Sequence, residues 1–449
     1  MTVGNSSRWL SHGIYSMINQ ASVVLLGFAS IFFLVRILTP SEVGVWVLFT
    51  SVGGILETLR VGFIRIPFIS MLVVATDDER SRIINGSLIL HIMLTFIVVV
   101  VLVSCAGLLS DFWHAANLEQ LFYIYALNSI VLISFLHFEY FLQSNLEFKA
   151  IFTTNFIRLF LVLAYVFGYY CVGATPTLAE LAFVQLGATV VATFFSYQLV
   201  KSTIPGFRLN QIDRSTIGKL FHLGKYTFGT NISALLIRNT DSWMIGRLIS
   251  SAGVAIYNPA LRISNIVEVP TMAIANVVFP QVGRKMTESG NEGIQSIYCK
   301  SVGLILAIML PVVIPIYLLA DFIVLLIFGN EYAEAVPILQ VTIFYTLLMP
   351  FSRQFGTIMD ALHMPKLNFH LSLLMAILNI ILNYFLLASH GVIGAAYATV
   401  ISFGVIFVVN QVILHRKFKI NTWLVFGELA GWYTFGWRFF RTWIKSKRR

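Results

Sequence analysis

The sequence predicts an all-α polytopic membrane protein, with about 12 transmembrane helices arranged as two six-helix lobes. Three observations support this fold class. Only 11% of the 449 residues are charged and 58% are hydrophobic, whereas soluble domains carry about 25% charged residues. Apolar runs long enough to cross a bilayer recur along the whole chain. These runs are continuous, while the strands of a transmembrane β-barrel alternate between apolar and polar residues.

The apolar runs are the first element of the prediction, and they define the spans. Each run has the length that a membrane-crossing helix needs, because a helix rises about 1.5 Å per residue and the hydrocarbon core is about 30 Å thick. The predicted spans are residues 12–37, 44–74, 83–109, 118–142, 150–172, 178–200, 220–246, 253–280, 296–328, 335–361, 367–388 and 392–414.

The loops between the spans are the second element, and their charges set the orientation. Nearly all loop Lys and Arg lie in or beside one alternating set of loops, at 75–82, 143–149, 201–219, 281–295 and 362–366. The other set contributes only Arg247. Basic residues accumulate in cytoplasmic loops. We therefore expect both termini to face the cytoplasm, which agrees with an even number of spans.

An internal repeat is the third element. Residues 34–46 align with residues 245–257 at an offset of 211, which also pairs Glu57 with Glu268. Residues 108–112 align with residues 318–322 at an offset of 210. Because each half holds six spans, the repeats share one orientation, and their pseudo-two-fold axis is predicted to run along the membrane normal.

The repeat and the charge pattern divide the chain into four predicted regions. They are an N-terminal lobe (1–200), a cytoplasmic linker (201–219), a C-terminal lobe (220–415) and a basic aromatic cytoplasmic tail (416–449). In the tail, Glu428, Arg438 and Arg441 make a thirteenth span costly. We expect an amphipathic helix at the membrane interface, with its basic end on anionic lipid.

The net charge of +10 exceeds what topology explains. Of the 30 basic residues, 22 fall in cytoplasmic regions or span ends, Arg247 lies outside, and seven arginines remain within spans. Arg36 sits at a span end, where it can snorkel to the interface. The other six predict a cationic cavity for an anionic substrate, because arginine stays charged when desolvated and binds phosphate bidentately. They are Arg60, Arg65, Arg158, Arg238, Arg262 and Arg353.

Polar and acidic residues accompany these arginines at helical spacing. Interhelical hydrogen bonding between packed helices accounts for any one of them about as well as a cavity does. The deep arginines outnumber the deep acids, however, and this favours a positive cavity. Candidate sugar contacts are Asn258, Asn265, Asn379 and Asn383. Candidate ion-coupling residues are Glu57, Asp241, Glu268 and Asp360.

Reaction chemistry is not predicted. The sequence contains no phosphate-binding loop of the nucleotide-hydrolysing type. Its three cysteines are widely separated, and no pattern of metal ligands or activated nucleophiles occurs. We expect a non-enzymatic protein without cofactor, metal or nucleic-acid partner.

Several short motifs resemble the lipid-linked oligosaccharide flippases, the Wzx-like polysaccharide exporters of the multidrug/oligosaccharidyl-lipid/polysaccharide (MOP) superfamily. They begin with Arg36-Ile-Leu-Thr-Pro-Ser-Glu-Val-Gly-Val-Trp46 and Asp241-Ser-Trp-Met-Ile-Gly246. Gly253-Val-Ala-Ile-Tyr-Asn-Pro-Ala-Leu-Arg262, Val278-Phe-Pro280, Ile327-Phe-Gly-Asn-Glu-Tyr332 and Gly391-Val-Ile-Gly-Ala-Ala396 follow in the family's order. The aromatic tail after Lys419 has no counterpart in this pattern.

The resemblance implies a MATE-like pair of lobes that opens alternately to either side of the bacterial inner membrane. It implies a substrate of undecaprenyl-pyrophosphate-linked oligosaccharide, such as an O-antigen, capsule or exopolysaccharide repeat unit. It also implies coupling to H⁺ or Na⁺, with a polysaccharide polymerase or export machinery as a further partner beside membrane lipid. No residue roles transfer from the family, so the site residues above rest on their own chemistry.

Two alternatives stay open at this point. A drug/cation antiporter of the same superfamily is disfavoured because span one lacks a carboxylate and the deep charge is basic. A membrane polysaccharide polymerase or glycosyltransferase is disfavoured because the outer loops have about ten residues or fewer, too few for a catalytic domain.

Overall fold

The computed structural model describes the backbone of residues 3–204, 213–362 and 364–447, and no strand occurs among them. The helices of the first half are α1 (Val3–Ile37), α2 (Pro40–Arg60), α3 (Ile66–Val74), α4 (Asp77–Phe112), α5 (Asn117–Ser144), α6 (Phe148–Val172), α7 (Leu178–Val200) and α8 (Arg214–Leu248). Those of the second half are α9 (Ser251–Val267), α10 (Val269–Leu318), α11 (Ala320–Phe328), α12 (Ala335–Thr346), α13 (Met349–Ala361), α14 (Pro365–His390), α15 (Ile393–Phe418) and α16 (Leu424–Lys447).

Ten helical stretches of the described chain are long and apolar enough to cross a membrane. They coincide with predicted spans one to six and nine to twelve, which confirms a polytopic all-α fold. The predicted spans at 220–246 and 253–280 fall on α8 and on α9 with the start of α10. Both are helical, and both carry candidate polar residues, among them Asp241 and Arg262. The total of twelve spans stays a prediction.

The chain divides into two compact units. The N-terminal unit comprises Met1–Leu235 with Ser250–Ala252, and the C-terminal unit comprises Leu236–Ile249 with Gly253–Arg449. The division falls within α8. The predicted linker at 201–219 lies partly outside the described residues.

In the N-terminal unit, the second span is built from three consecutive pieces. Thr39 and Glu42 form a capping box at the start of α2, which satisfies backbone N–H groups that a helix start leaves unpaired. A π-helical turn, Val61–Arg65, then separates α2 from α3, and Pro67 follows in the first turn of α3. Such turns interrupt membrane helices and often mark functional positions.

One helix break recurs in the chain at the offset of the sequence repeat. Breaks at Ile37/Pro40 and at Leu248/Ser251 are separated by 211 residues, which equals the offset of the sequence repeat. Farther along, Gly391 takes a positive φ of 65° and joins α14 to α15 in a tight hairpin. Glycine adopts this backbone conformation without the steric cost that a Cβ adds.

The final helix, α16, packs against α10 in the C-terminal unit. Val425 is fully buried, and the Trp432 indole donates to the backbone carbonyl of Lys300 over 3.3 Å. Gly303 on α10 lies so close that an added Cβ would be 2.9 Å from the Cβ of Glu428. That α16 lies at the membrane interface stays a prediction.

Candidate functional site

Three of the predicted arginines converge on one helix of the N-terminal unit. Arg60, at the end of α2, donates to the Ser129 hydroxyl (2.9 Å) and to the Ser129 carbonyl (3.2 Å). The Arg158 guanidinium lies over the Phe135 ring, 4.7 Å from its centroid. Ser129 and Phe135 both belong to α5, which therefore contacts cations from two other helices.

The third contact is farther along the same helix. Arg65, in the π-helical turn, donates from Nε to Gln143 Oε1 over 3.0 Å. Positions 129, 135 and 143 are spaced about 9 Å and 12 Å along the α5 axis, at about 1.5 Å per residue. The predicted topology puts Gln143 at the cytoplasmic end. We call these three contacts, made by Arg60, Arg158 and Arg65, the arginine ladder. In the predicted topology, it runs from the cytoplasmic end of α5 into the bilayer.

Two carboxylates lie near the ladder, but neither forms an ion pair with it in the described structure. The ion pairs found in the described chain, Arg284–Glu288 and Lys285–Glu288, lie outside it. Glu57 and Arg60 have helical spacing, yet the structure forms no ion pair between them, and the Tyr125 hydroxyl faces the Glu57 carboxylate at 3.5 Å. Glu139 lies within electrostatic reach of Arg158 and Arg65. Among the described residues, the three arginines have only neutral hydrogen-bond and ring partners. They outnumber the two nearby carboxylates, which favours a positive potential here.

The members of the ladder differ in accessibility. Arg60 is 1% exposed, so its charge acts inside the lobe. Arg65 and Arg158 are half-buried, and their guanidinium groups keep unused N–H donors, since each carries five. Arg65 and Arg158 can therefore donate hydrogen bonds to an anion. Arg60 contributes only to the positive electrostatic potential inside the lobe.

In the C-terminal unit, Asp241 occupies a cage of neutral donors. Its Oδ2 accepts from the Tyr257 and Thr399 hydroxyls, both at 2.7 Å, and its Oδ1 accepts from Asn383 Nδ2 at 2.8 Å. Asn379 Nδ2 donates to the Thr399 hydroxyl over 3.3 Å. The cage joins α8, α9, α14 and α15, and its carboxylate is 5% exposed. No cation of the described chain pairs with it.

The cage also contains unused oxygen acceptors. The side-chain carbonyl oxygens of Asn379 and Asn383 are buried without a hydrogen-bond donor. A buried polar atom without a partner is uncommon in folded proteins. A carboxylate with two spare amide oxygens is a donor set that suits a hard cation or a proton.

The remaining predicted residues of this unit are more scattered. Arg262 donates from Nε to Asn258 Oδ1 over 2.6 Å within α9, and both side chains are half-buried. Arg353 is exposed on α13. Asp360 accepts from Asn368 Nδ2 at 3.0 Å.

Three further predictions remain without a described partner or position. Asn265 is exposed and Glu268 is half-buried near the α9–α10 break. The Arg238 side chain lies outside the described residues.

Sequence reasoning did not single out several partners that the structure reveals. Ser129 and Gln143 are 14 residues, or two heptads, apart on α5. This spacing of polar residues in an apolar span could have indicated that they share one face of the helix. Tyr257 belongs to one of the family-like motifs. Thr399 is one of three hydroxyl residues in its span, with Tyr397 and Ser402, and no pattern distinguishes it from them.

The comparison with protein families decides the relationship of this chain. Residues 33–337 match the model described as "Polysaccharide biosynthesis protein". The chain belongs to this family.

Curated relatives match more distantly. A "Probable low-salt glycan biosynthesis flippase Agl15" from Haloferax volcanii is 28% identical over 41% of this chain and 39% of its own length. The "Teichuronic acid biosynthesis protein TuaB" from Bacillus subtilis is 24% identical over 66% of this chain and 61% of its own length. The chain thus spans less than two thirds of the curated relatives it matches.

Solved structures share the fold. An inward-facing multidrug resistance MATE family transporter of the MOP superfamily aligns with a TM-score of 0.74 at 15% identity, over 90% of this chain and 98% of the other. The lipid II flippase MurJ aligns with a TM-score of 0.69 at 12% identity, over 97% of this chain and 100% of the other. These neighbours confirm the MATE/MOP-like fold that the sequence predicts.

Proposed function

We propose that this family member is a non-enzymatic flippase for a lipid-linked oligosaccharide. In this proposal a polyprenyl-pyrophosphate carrier and its glycan cross the cytoplasmic membrane by alternating access. The arginine ladder is the observation that carries the proposal, because its cations lie within spans and form no ion pair with the described acidic residues. A pyrophosphate cannot cross about 30 Å of hydrocarbon alone. Partly buried guanidinium groups replace its hydration.

The geometry of the ladder suggests an order of contacts. Arg65, which contacts Gln143 at the predicted cytoplasmic end of α5, would meet the headgroup first. Phe135, which Arg158 contacts, lies about 12 Å deeper along α5. Arg60 adds positive potential from inside the lobe. In the C-terminal unit, Arg262 and Arg353 would act as further anion contacts. Asn258 and Asn265 would then bind sugar hydroxyl groups.

We further propose that an ion gradient drives the cycle through the Asp241 cage. The carboxylate is buried, accepts three hydrogen bonds from neutral donors and forms no ion pair with a cation among the described side chains. In this proposal H⁺ or Na⁺ occupies the cage, and Asn379 and Asn383 serve as ion ligands there rather than as sugar contacts. Glu57, Glu268 and Asp360 are secondary candidates, since none has a comparable cage.

The names of the relatives support this proposal. Agl15 is named as a glycan biosynthesis flippase and TuaB as a teichuronic acid biosynthesis protein. The structural neighbours include a multidrug resistance MATE family transporter, and so a drug/cation antiporter is the alternative. Deep arginines disfavour it, because a cationic drug would meet like charge.

A flipping assay tests the proposal. The protein is reconstituted with a polyprenyl-pyrophosphate-linked oligosaccharide, and appearance of the glycan in the opposite leaflet is followed. Arg65→Gln and Arg158→Gln each remove one charged hydrogen-bonding group, worth about 1.5–3 kcal/mol. We expect apparent affinity to fall about 10- to 100-fold.

Two further variants sharpen the interpretation. Arg158→Lys keeps the charge but loses the planar fork, so its affinity should lie between those of the wild type and Arg158→Gln. Arg284→Gln is the matched control, because Arg284 is exposed and only forms an ion pair with Glu288. Full flipping by the two Gln variants of the ladder, or equal loss in the Arg284 control, would rule out the ladder as the anion path. Saturable uptake of cationic drugs instead would support the antiporter.

A further inference from the structure

A cluster of buried side chains inside the N-terminal unit contains polar atoms that find no hydrogen-bond partner among the described residues. His91 and His137 are 0% and 2% exposed, and neither nitrogen of either ring is paired. The Thr95 and Tyr140 hydroxyls and Arg60 Nε are also buried and unpaired. We call these five residues the histidine cluster. None of these residues belongs to the Asp241 cage. In the proposed transport, only Arg60 has a role, through its positive electrostatic potential.

The members of the cluster lie on neighbouring helices. His91 and Thr95 are one turn apart on α4, and His137 and Tyr140 are one turn apart on α5. The His91 and Tyr140 rings are nearly parallel (11°), with centroids 6.3 Å apart. His91 is within electrostatic reach of His137 and of Arg60, and Arg60 is also within reach of Tyr140.

The chemistry of the cluster is that of a set of hydrogen-bond donors. Each of the five side chains carries at least one N–H or O–H group. Folded proteins seldom leave so many buried donors unpaired, unless water or a ligand occupies the space. Arg60 also lies beside a π-helical turn, and such turns occur frequently at functional sites.

The local charge decides which ligand fits. The Arg60 guanidinium is buried with only the Ser129 oxygens as partners, so a second cation beside it is disfavoured. Other charged groups that face the cluster are Glu57 on α2, Arg65 in the π-helical turn and Glu139 on α5. They add one positive and two negative charges. Neither carboxylate pairs with Arg60, so the guanidinium has no ion-pair partner among the described residues.

We propose that the histidine cluster binds a small monovalent anion of the size of chloride. The anion would accept hydrogen bonds from Arg60 Nε, the two imidazoles and the hydroxyls, and it would neutralise the guanidinium. This site would be a structural anion site within one lobe, separate from the path of the lipid-linked cargo. Its occupancy does not depend on the proposed flippase activity.

Chloride-dependent stability of the full-length, detergent-solubilised protein tests the site without any cargo. The thermal midpoint is measured in sodium chloride and in sodium gluconate at equal ionic strength, since ligand that binds only the folded state raises the midpoint. We expect the thermal midpoint of the wild type to rise with chloride concentration and to reach a plateau. In His91→Phe and in Tyr140→Phe, the half-saturating chloride concentration should increase about tenfold or more.

Ser264→Ala is the matched control. Ser264 is 1% exposed and its hydroxyl is unpaired, but it belongs to the other unit. Its chloride response should equal that of the wild type. A wild type that is indifferent to chloride, or a control that loses the response as fully as the cluster variants, would overturn the proposal.

Bromide-soaked crystals of the wild type test the site even when a variant does not fold. We expect an anomalous scattering peak between His91, His137 and Tyr140. Water alone in that position would overturn the proposal.

Discussion

Asp241→Asn is the most informative single change, because it removes the charge of the cage and preserves its shape. The carboxylate accepts three hydrogen bonds. An asparagine oxygen can still accept from Tyr257 and Thr399, but its NH₂ group then faces the NH₂ of Asn383. One charge-assisted hydrogen bond is lost and two donors are opposed. The cost to folding should be about 1.5–3 kcal/mol.

The functional effect should be larger than this structural effect. Without the negative charge, the cage cannot alternate between an empty state and a state that holds H⁺ or Na⁺. In proteoliposomes, we expect downhill flipping of the lipid-linked oligosaccharide to continue while stimulation by an imposed ion gradient disappears. Proton and sodium gradients are imposed one at a time, so that the wild type identifies the ion.

Thr399→Val separates charge from structure in this experiment. It deletes one of the three hydrogen bonds to Asp241 at a similar folding cost, and it keeps the carboxylate. Gradient stimulation should survive in Thr399→Val. Asp241→Asn with undiminished stimulation would refute the coupling role, and equal loss in both variants would show that the cage matters only for folding.

Three other predictions concern stability and topology. Gly394→Ala should destabilise the α14–α15 hairpin by about 1–3 kcal/mol, because the added Cβ would lie 2.1 Å from the Leu386 carbonyl oxygen. Gly404→Ala on the same helix, where nothing lies within 4 Å, should be neutral or stabilising in the same denaturation assay; similar losses would contradict this explanation. The Thr216 hydroxyl, and then the backbone N–H groups of α8, hold the pKa of Asp213 below its ordinary value. Protection of the first turn of α8 against hydrogen exchange should therefore be present above about pH 4 and be lost as the pH falls through the lowered pKa; protection that is unchanged down to pH 2 would contradict this capping role. In a background where the native cysteines Cys105, Cys171 and Cys299 are replaced by serine, Lys447→Cys should react with a membrane-impermeant thiol reagent only from the cytoplasmic side, whereas labelling from outside would indicate that α16 is a thirteenth span.

Much of the fold was predictable from local sequence. Apolar length predicts spans one by one, and ten of the predicted spans coincide with helical stretches of the required length and apolar character. The repeat offset of 211 reappears in the helix breaks after Ile37 and after Leu248. Such features depend on residues that are close in the chain, and they need no knowledge of neighbouring helices.

Which side chains form hydrogen bonds with each other was less predictable from the sequence. The Glu57–Arg60 spacing suggests an ion pair, yet Arg60 instead contacts Ser129, which is 69 residues away. The Asp241 cage unites residues separated by up to 158 positions. Helical spacing brings two residues to one face, but the packing of other helices decides whether that face meets a partner, lipid or a cavity.

The sequence by itself determined the membrane class, the apolar spans, and the presence of more arginines than acids within them. Composition and periodicity are sufficient for these properties, because the bilayer acts on each helix in the same way. Only the tertiary structure decided that three arginines meet α5, that Asp241 is surrounded by neutral donors, and that His91 and His137 remain unpaired. These contacts join helices distant in the chain, and their geometry arises when the helices pack.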